Sequence, residues 1–408
     1  MTDTLKDKTE PRPAIAIACG GTGGHLFPGL AVGMQLARRG CRVSLLVSPK
    51  DVDQQAVRGL QGMEVVTLPA VGLVRGGKLA FVAGFWRSYR VASQFFRRLR
   101  PQAALAMGGF TSAAPILAAK RLGAGTFLHE SNTIPGRANR WLSWLVDRAF
   151  VGFPQAAPRL HGRRVLVTGT PVRAQFQPGD VGKCREALGL DPERATVCVL
   201  GGSQGASAIN QLLVRSLPRF TQTVPHWQWI HLTGAAEFDG VKSAYQACGA
   251  RAAVLPFLAE MELALGAASA AISRAGASSL SELAAMQVPA VLIPYPSAAD
   301  DHQLYNALAF ADSDAARILA QTAATTQSLL GTVRELVEDC EFRASTQRAL
   351  ARRHTPRAAE DIAGAILEAI GLRSQAGQEP ELPGGTPSSA ELPPSAPNTD
   401  SARRLRFA

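Results

Sequence analysis

The chain has 408 residues, of which 46% are hydrophobic and 18% charged, and it carries a formal net charge of +11 at pH 7. This length exceeds what one hydrophobic core supports, so we expect two domains, and the composition excludes an intrinsically disordered chain. Residues 1–165 carry 23 Lys and Arg against 8 Asp and Glu, whereas residues 166–372 carry 16 against 20. The basic half predicts an anionic partner, either nucleic acid or a membrane surface, unless it is an ordinary solvated surface.

Cysteines and apolar runs indicate the compartment. The six cysteines are widely spaced without a C-x-x-C pair, which excludes a disulfide scaffold and a cysteine zinc site and is typical of a reducing compartment. The first eight residues lack an apolar core, so no signal peptide is predicted. The longest uncharged run, 101–119, is interrupted by Gly108, Gly109 and Pro115 and predicts strand, turn and helix, not a membrane span. We therefore expect a soluble cytoplasmic protein.

The first half of the chain alternates strand and helix patterns. Apolar residues 14–19 stop at two glycines and predict a buried strand. Pro28 is predicted to open a helix that ends before Gly40, and a strand follows at 43–47. This β-α-β order predicts a parallel sheet. Further strands are predicted at 103–107 and 126–129.

The second half repeats this order after a stretch rich in glycine and proline. Its predicted strands are 196–200, 228–232, 252–255, 270–273 and 288–294. A final helix is predicted after Pro356, with Ile362, Ile366 and Ile370 on one face. Beyond residue 372, Pro, Gly and Ser make up 14 of 36 residues, which predicts disorder.

The predicted fold class is therefore α/β, with two Rossmann-like doubly wound parallel-sheet domains. The predicted boundaries are 12–165 for the first domain, 166–180 for a linker, 181–345 for the second domain, 346–372 for C-terminal helices and 373–408 for the tail.

Three glycine turns follow predicted strands. They are Gly-Gly-Thr-Gly-Gly-His (20–25), Gly-Gly (108–109) and Gly-Gly-Ser-Gln-Gly-Ala (201–206). Such turns let backbone N–H groups approach a phosphate at a helix N-terminus, although each could also be a tight turn without a ligand. The dinucleotide fingerprint fails, because Leu26 stands where its third glycine belongs and no acidic residue ends the second strand. Turns from two domains facing a cleft are typical of a sugar-nucleotide enzyme.

Several motifs in order resemble one family. Besides the glycine turns, they are His-Glu-Ser-Asn (129–132), Gly-Thr-Pro-Val-Arg (169–173), Ser-Arg-Ala-Gly-Ala-Ser-Ser-Leu-Ser-Glu (273–282) and Asp-His-Gln-Leu-Tyr-Asn-Ala (301–307). Across residues 14–370 the chain resembles the N-acetylglucosaminyltransferases of peptidoglycan synthesis, which convert lipid I to lipid II. The resemblance implies a GT-B fold, a UDP-sugar held mainly by the second domain, the acceptor held by the first, and a last helix that returns to the first domain.

The resemblance also implies roles for individual residues. Thr22, Gly23 and Gly24 would lie at the donor diphosphate and sugar, Asn132 and Gln303 at the N-acetylglucosamine, and Arg173 at the nucleotide. Ser203 and Gln204 would lie at the diphosphate, the backbone of Leu258 at uracil, and Ala277, Ser278, Ser279, Leu280, Ser281 and Glu282 under the nucleotide. The chain departs from the family pattern at Ser131, Thr170 and Ala275, where Gln, Asn and Ser are usual.

Two assignments leave alternatives open. Ser279-x-x-Glu282 also fits a capping box, whereas in the family the carboxylate binds both ribose hydroxyls. The acceptor 4-hydroxyl needs a base, and His25 suits this role because its pKa lies near neutrality, although Glu130 competes and a capping or packing role for His25 is also open.

No metal and no cofactor are predicted. Asp51-Val-Asp53 and Asp312-Ser-Asp314 match the D-x-D pattern of metal-dependent glycosyltransferases, but both are interpreted as surface caps. The positive helix ends and Arg173 would take the place of a metal at the diphosphate.

Residues 75–100 contain seven Lys or Arg and no acid, interleaved with aromatic and aliphatic residues at helical spacing. This pattern predicts a segment that lies on an anionic membrane, or alternatively an amphipathic helix whose apolar face is core. Nucleic-acid binding uses similar residues but would leave the glycine turns and Glu282 unexplained, so no nucleic-acid partner is predicted.

The sequence thus predicts an inverting transferase at the cytoplasmic face of the inner membrane, with UDP-N-acetylglucosamine and undecaprenyl-linked lipid I as substrates. The alternatives are another GT-B enzyme, such as a non-hydrolysing UDP-GlcNAc 2-epimerase or a glycolipid glycosyltransferase, and a nucleotide-sugar-binding adaptor without turnover.

Overall fold

Two parallel sheets organise the chain. The computed structural model describes residues 12–21, 23–58, 60, 62–69, 73–161, 164–202 and 205–371, without the side chains of 51, 52, 55 and 73–78. The predicted tail lies outside these residues, as do Thr22, Ser203 and Gln204. Both sheets belong to one compact unit.

The first sheet has seven strands. They are β1 (Ala14–Ala18), β2 (Arg42–Val47), β3 (Glu64–Thr67), β4 (Ala103–Ala106), β5 (Gly125–Glu130), β6 (Arg148–Val151) and β7 (Val165–Val167). Its helices are α1 (Gly23–Arg38), α2 (Asp51–Ala56), α3 (Leu73–Leu99), α4 (Ala113–Arg121) and α5 (Arg137–Leu142), with a 3₁₀ helix at Pro154–Arg159.

The second sheet has six strands. They are β8 (Thr196–Leu200), β9 (Gln228–Leu232), β10 (Ala252–Leu255), β11 (Ala270–Ser273), β12 (Ala290–Leu292) and β13 (Arg317–Ile318). The helices around it are α6 (Val181–Ala187), α7 (Ser207–Thr223), α8 (Phe238–Ala247), α9 (Met261–Ala267), α10 (Ala277–Met286), α11 (His302–Ala311), α12 (Thr326–Glu338) and α13 (Cys340–Arg353). Short 3₁₀ helices occupy Ala235–Glu237 and Ala299–Asp301, and α14 (Ala358–Ala369) ends the described chain.

Strand order places the glycine turns. The first sheet runs β3-β2-β1-β4-β5-β6-β7 and the second runs β10-β9-β8-β11-β12-β13, with all pairs parallel. In each sheet the order reverses beside its first strand, between β1 and β4 and between β8 and β11. Open parallel sheets bind ligands at such switch points. The turns after β1 and β4 meet at one switch point, and the turn after β8 lies at the other, which confirms the predicted doubly wound fold.

Apolar cores cover both faces of each sheet. The last helix, α14, packs Ile362 and Ile366 against the first sheet with Ile15 and Ile17, so the chain returns to the first domain. The return starts later than predicted. Helix α13 belongs to the second domain, because Leu350 is buried in its core, so the crossing begins after Arg353 and not at residue 346.

Two further details differ from the sequence prediction. Helix α1 begins at Gly23, and Pro28 is buried inside it. Since proline has no N–H, it leaves the carbonyl four residues earlier without its helical partner, which is why a proline normally marks a helix start. Strands β3, β6, β7 and β13 were not predicted from the sequence.

Candidate active site

A cavity of about 1220 Å³ opens at the carboxyl ends of both sheets. Its first wall comes from the segments that follow β1, β3, β4 and β5, and its second wall from those that follow β8, β10, β11 and β12. A cavity of this size at the switch points of parallel sheets can enclose a ligand as large as a nucleotide sugar.

Many of the predicted site residues line this cavity. They are Gly23, Gly24, His25, Glu130, Asn132, Leu258, Ala277, Ser278, Ser279, Glu282 and Gln303. Leu280 does not, because its side chain is fully buried in the second core. Ser281 does not line it either, and its hydroxyl donates to the Ala277 carbonyl at 2.9 Å.

The ring of His25 lies against the second glycine turn. A Cβ atom at Gly108 would stand 2.9 Å from His25 Cε1, and one at Gly109 would stand 3.1 Å from Cδ2. Both glycines also have positive φ, +104° and +76°, which other residues rarely adopt. This turn therefore has a function that its sequence did not reveal: it makes room for the His25 ring at the cavity wall.

The surroundings of His25 favour its neutral form. Burial lowers its pKa below the usual 6.5, and this effect is opposed mainly by the charge of Glu130 and by the carbonyl of Met107. Nδ1 is buried and has no hydrogen bond of good geometry to the described residues. A proton on Nδ1 would leave Nε2 as the basic nitrogen.

Glu130 organises the loop after β5. Its Oε1 accepts hydrogen bonds from the backbone N–H and the side-chain amide of Asn132, at 2.8 and 3.0 Å. Its Oε2 accepts from the Gly136 N–H and from Asn139 Nδ2, both at 2.9 Å. Four donors occupy this carboxylate, so accepting a proton would break at least one of these bonds. The geometry disfavours Glu130 as the base and favours His25.

Asn306 of α11 joins the two domains, and sequence reasoning missed it although it lies in a quoted motif. Its side chain is fully buried. Its Oδ1 accepts from the N–H and hydroxyl of Thr133, at 2.9 and 3.0 Å. Its Nδ2 donates to Asn132 Oδ1 at 3.0 Å and to the Ala275 carbonyl at 3.1 Å. One amide thus connects the loop after β5 with the segment that enters α10.

A second contact between the domains lies at the cavity rim. Arg140 Nη2 donates to Asp300 Oδ2 at 2.5 Å, and Arg137 approaches the same carboxylate at 3.9 Å. These side chains are partly or largely exposed, and pairs of this kind contribute at most about 1 kcal/mol.

Glu282 lies in the second turn of α10. That helix has Gly276 as its N-cap and no side-chain cap bond, so the capping-box alternative for Ser279 and Glu282 is wrong. Burial raises the pKa of Glu282 to about 7, with Glu262 adding to the effect and Arg173 opposing it. A carboxylate held without a cap partner at a cavity wall is available to accept hydrogen bonds from a ligand.

Arg173 does not line the cavity, but its charge acts on Glu282, which does, and its guanidinium lies between two aromatic rings. Its guanidinium carbon is 4.6 Å from the ring centre of Phe27 and 5.0 Å from that of Phe176. Its Nε and Nη2 are buried and have no hydrogen-bond partner among the described residues. The aromatic contacts hold the side chain by cation–π attraction and leave its donors unused.

The start of α10 supplies further donors. Its N-cap, Gly276, lines the cavity together with Ala277 and Ser278. The first N–H groups of a helix are free to bind an anion, and the helix dipole adds positive potential. Gln303 lines the same wall, and its Oε1 accepts from the Tyr295 N–H at 3.0 Å, which leaves its amide N–H groups for a ligand.

Asp53 is not the surface cap that was predicted. It is fully buried, and its Oδ2 accepts from the Gly21 N–H at 2.6 Å, the Ser48 N–H at 3.1 Å and the Ser48 hydroxyl at 2.5 Å. Tertiary contact with the first glycine turn explains the burial, which local sequence could not indicate. In the other D-x-D match, Asp312 and Asp314 are exposed. Over the described residues, no group of three or more His, Cys, Asp or Glu has a metal-binding arrangement.

Helix α3 divides into a buried and an exposed part. Towards its C-terminus, Phe95 and Phe96 belong to the core of the first domain. Towards its N-terminus, Leu79, Val82 and Trp86 are 88%, 50% and 56% exposed. The alternative that the apolar face of this segment is core therefore holds only for the C-terminal part of α3. None of the helices within the described ranges combines the length and the apolar character needed to cross a membrane.

Two domain models match the chain. The N-terminal domain model of glycosyltransferase family 28 covers residues 15–151, and the C-terminal domain model of the same family covers residues 196–362. Together with the two-sheet fold and its cleft, these matches define a glycosyltransferase built from two Rossmann-like domains.

Similar proteins with known names indicate which transferase family the chain belongs to. A protein of Sorangium cellulosum is 37% identical over 87% of this chain and 88% of its own length, and one of Anaeromyxobacter dehalogenans is 33% identical over 90% and 98%. Both are named UDP-N-acetylglucosamine–N-acetylmuramyl-(pentapeptide) pyrophosphoryl-undecaprenol N-acetylglucosamine transferase. The chain belongs to this transferase family, which confirms the resemblance. The solved structure of Acinetobacter baumannii MurG matches with a TM-score of 0.67 at 28% identity, over 88% of this chain and all of that one.

Proposed function

We propose that this protein is an inverting glycosyltransferase that moves N-acetylglucosamine from UDP-GlcNAc to the muramoyl 4-hydroxyl of lipid I, giving lipid II. The observation that carries the proposal is the cleft of about 1220 Å³ at both switch points, in a chain of this family. Peptidoglycan synthesis, and through it cell shape and division, is the process that this reaction serves.

The second domain would hold the donor. The carboxylate of Glu282 is suited to accept both ribose hydroxyls, and the backbone of Leu258 is close enough to the same cavity to bind the uracil edge. The start of α10 and the unused donors of Arg173 would hold the diphosphate, as would Ser203 and Gln204.

The sugar would lie where the domains meet. Gln303 has free amide N–H groups at the cavity wall, and Asn132 lines the same cavity from the first domain, so both can contact sugar hydroxyls. Gly23 and Gly24 of the first glycine turn line the cavity from the first domain, and together with Thr22 they would bind the diphosphate and sugar.

The chemistry requires one base and a stabilised leaving group. The 4-hydroxyl oxygen attacks the anomeric carbon on the face opposite to UDP, His25 Nε2 takes the hydroxyl proton, and the bond from carbon to diphosphate oxygen breaks. The configuration inverts, and the electron pair leaves with UDP. Arg173 and the start of α10 stabilise the charge that develops on the diphosphate.

A membrane surface is the proposed partner of the first domain. The exposed side chains of Leu79, Val82 and Trp86, together with Trp141 of α5, which is 49% exposed, form a surface that we call the apolar rim. Val82, Trp86 and Trp141 also line the cavity, so the rim leads directly into it. A lipid-linked acceptor could therefore enter the cleft without leaving the bilayer surface.

Basic residues flank the apolar rim. Arg87, Arg90 and Arg97 are exposed on the same helix, in a half of the chain that carries a net charge of +15. Apolar insertion plus attraction to anionic lipid is how peripheral proteins bind membranes. We therefore propose peripheral binding at the cytoplasmic face of the inner membrane, where UDP-GlcNAc is available.

The test is transfer from radiolabelled UDP-GlcNAc to a lipid I analogue. We expect label in the lipid and one UDP released per sugar transferred, and we expect a His25→Ala variant to bind UDP normally but to lose at least about a hundredfold in turnover. Epimerisation of UDP-GlcNAc without acceptor would support the epimerase alternative instead. Binding without UDP release would indicate an adaptor without turnover.

A further inference from the structure

Two charged side chains contact the first glycine turn. Asp53 and Lys50 lie at the start of α2, and neither lines the cavity. The Gly21 N–H donates to the Asp53 carboxylate at 2.6 Å, and Lys50 Nζ donates to the Gly21 carbonyl at 2.6 Å. Both backbone polar groups of this residue are therefore held by side chains of one segment.

We propose that Asp53 and Lys50 are positioning residues that fix the first glycine turn and, through it, His25 at the head of α1. This inference rests on the proposed function, because it assigns these residues to the geometry and proton transfer of that reaction.

The geometry of the turn explains why it needs such support. Gly21 has a φ of +119°, a conformation that is open to glycine but that glycine does not prefer over others. The Gly20 carbonyl is held as well, since the Thr111 hydroxyl donates to it at 2.5 Å. Three side-chain contacts thus restrict the backbone of two consecutive glycines, which are flexible by themselves. His25 follows only four residues later, so a change at Gly21 moves the base.

The two charges also act on His25 directly. The acidic groups around His25 are Glu130 and Asp53, and both raise its pKa, whereas Lys50 lowers it. His129 faces the same region but is buried, with its pKa lowered to about 4, and is therefore neutral near pH 7. Removing Asp53 or Lys50 should consequently shift the titration of His25 in opposite directions. A residue with a purely structural role would not produce such a pair of shifts.

The experiment compares Asp53→Asn, Lys50→Met and a matched control, Asp147→Asn. Asp147 also braces backbone, since it accepts from the Thr126 N–H at 2.7 Å and its hydroxyl at 3.0 Å, but it precedes β6 at the amino end of the first sheet. For each folded variant, kcat, KM and UDP affinity are measured. The pH dependence of kcat/KM for the lipid I analogue is then recorded from pH 5 to 9.

We expect Asp53→Asn to lower kcat about tenfold to a hundredfold, as misplacement of a reacting group does, with UDP affinity within about twofold of wild type. The acidic limb of its kcat/KM profile should move to lower pH, because His25 loses a neighbouring negative charge and its pKa falls. Lys50→Met should lower kcat and move the limb to higher pH. The control should keep both kcat and the limb, even if it melts at a lower temperature.

The outcomes separate this inference from the proposed function. Absence of transfer by the wild type would contradict the proposed function itself. The positioning role alone would be overturned if the wild type is active and both variants match it. Matching means that the acidic limbs of their pH profiles coincide with that of the wild type and that kcat stays within about threefold. If Asp53→Asn does not fold, Lys50→Met decides: an upward shift of the limb with reduced kcat supports the inference, and unchanged values overturn it.

Discussion

Replacing Glu282 by glutamine should stabilise the protein while it weakens donor binding. The carboxyl has a pKa of about 7 in the folded chain, against 4.5 when it is exposed. Between these values the folded state keeps a proton that the unfolded state has released, so stability falls as the pH rises from 4.5 to 7 and stays low above. The wild type is therefore destabilised above pH 7, and Glu282→Gln removes this effect.

The magnitude follows from the two pKa values. Since a tenfold difference in proton affinity is worth about 1.4 kcal/mol, the variant should gain about 1.4 kcal/mol at pH 5.5 and about 3 kcal/mol at pH 8. Urea unfolding can be followed by fluorescence, because Trp227 and Trp229 are buried in the second domain and report on it. Glu335→Gln is the matched control, as that carboxylate is exposed in a pair with Arg317 and should show no such gain.

Donor binding by the wild type should become stronger as the pH rises, whereas its stability falls. If the ionised carboxylate binds the ribose, the wild-type Kd for UDP-GlcNAc should fall about tenfold between pH 6 and pH 8. The intact nucleotide sugar is the correct probe, since the terminal phosphate of UDP itself titrates in this range. Glu282→Gln should bind about 10- to 100-fold more weakly at pH 8, with no such pH dependence. Unchanged stability at pH 8, or equal affinity of both proteins by calorimetry, would refute this reasoning.

Three other perturbations test the remaining parts of the site. His25→Gln should lower kcat at least about a hundredfold and abolish the acidic limb of the pH profile in steady-state assays, with KM for UDP-GlcNAc little changed. Serine at Leu79, Val82 and Trp86 should weaken the part of vesicle binding that resists salt, measured by co-sedimentation over a salt series; equal binding by wild type and variant would move the membrane surface elsewhere. Asn306→Ala should lower the free energy of unfolding by about 1–3 kcal/mol and raise KM for the donor, because buried groups of Thr133 lose their partner; an unchanged KM would show that the contact is only structural.

Local sequence predicted the elements that are buried and regular. Strands β1 and β8 are apolar runs that end at glycines, and all of their residues are buried in the structure. Strand β3 was missed because its four residues are exposed or half-buried, and β13 because it has two residues. Periodicity gives no signal in such short, partly exposed strands.

The site was predictable only where a motif carries its own chemistry. The glycine turns could be identified from their residue types, whereas Glu282 was assigned only through the family resemblance, because its sequence pattern also fits a capping box. Asp53 was misinterpreted because the same residue type caps helices on surfaces, and only the approach of Gly21 makes it a buried acceptor. The ring of His25 against Gly108 could not be foreseen either, since it depends on two neighbouring strands whose paired residues are 88 positions apart in the chain.

The amide of Asn306 ties any separation of the two domains to hydrogen bonds that share one side chain. Three of its hydrogen bonds reach Asn132 and Thr133 in the first domain and the fourth reaches Ala275 in its own, so a small separation of the domains breaks the three together. Hydrogen bonds weaken steeply with distance and angle. A gap too narrow for water would therefore break all three bonds and leave their donors and acceptors without a new partner. A small polar molecule inserted between Thr133 and Asn306 would therefore act as a wedge. It would separate the loop after β5 from the start of α10 at a place outside the cavity lining.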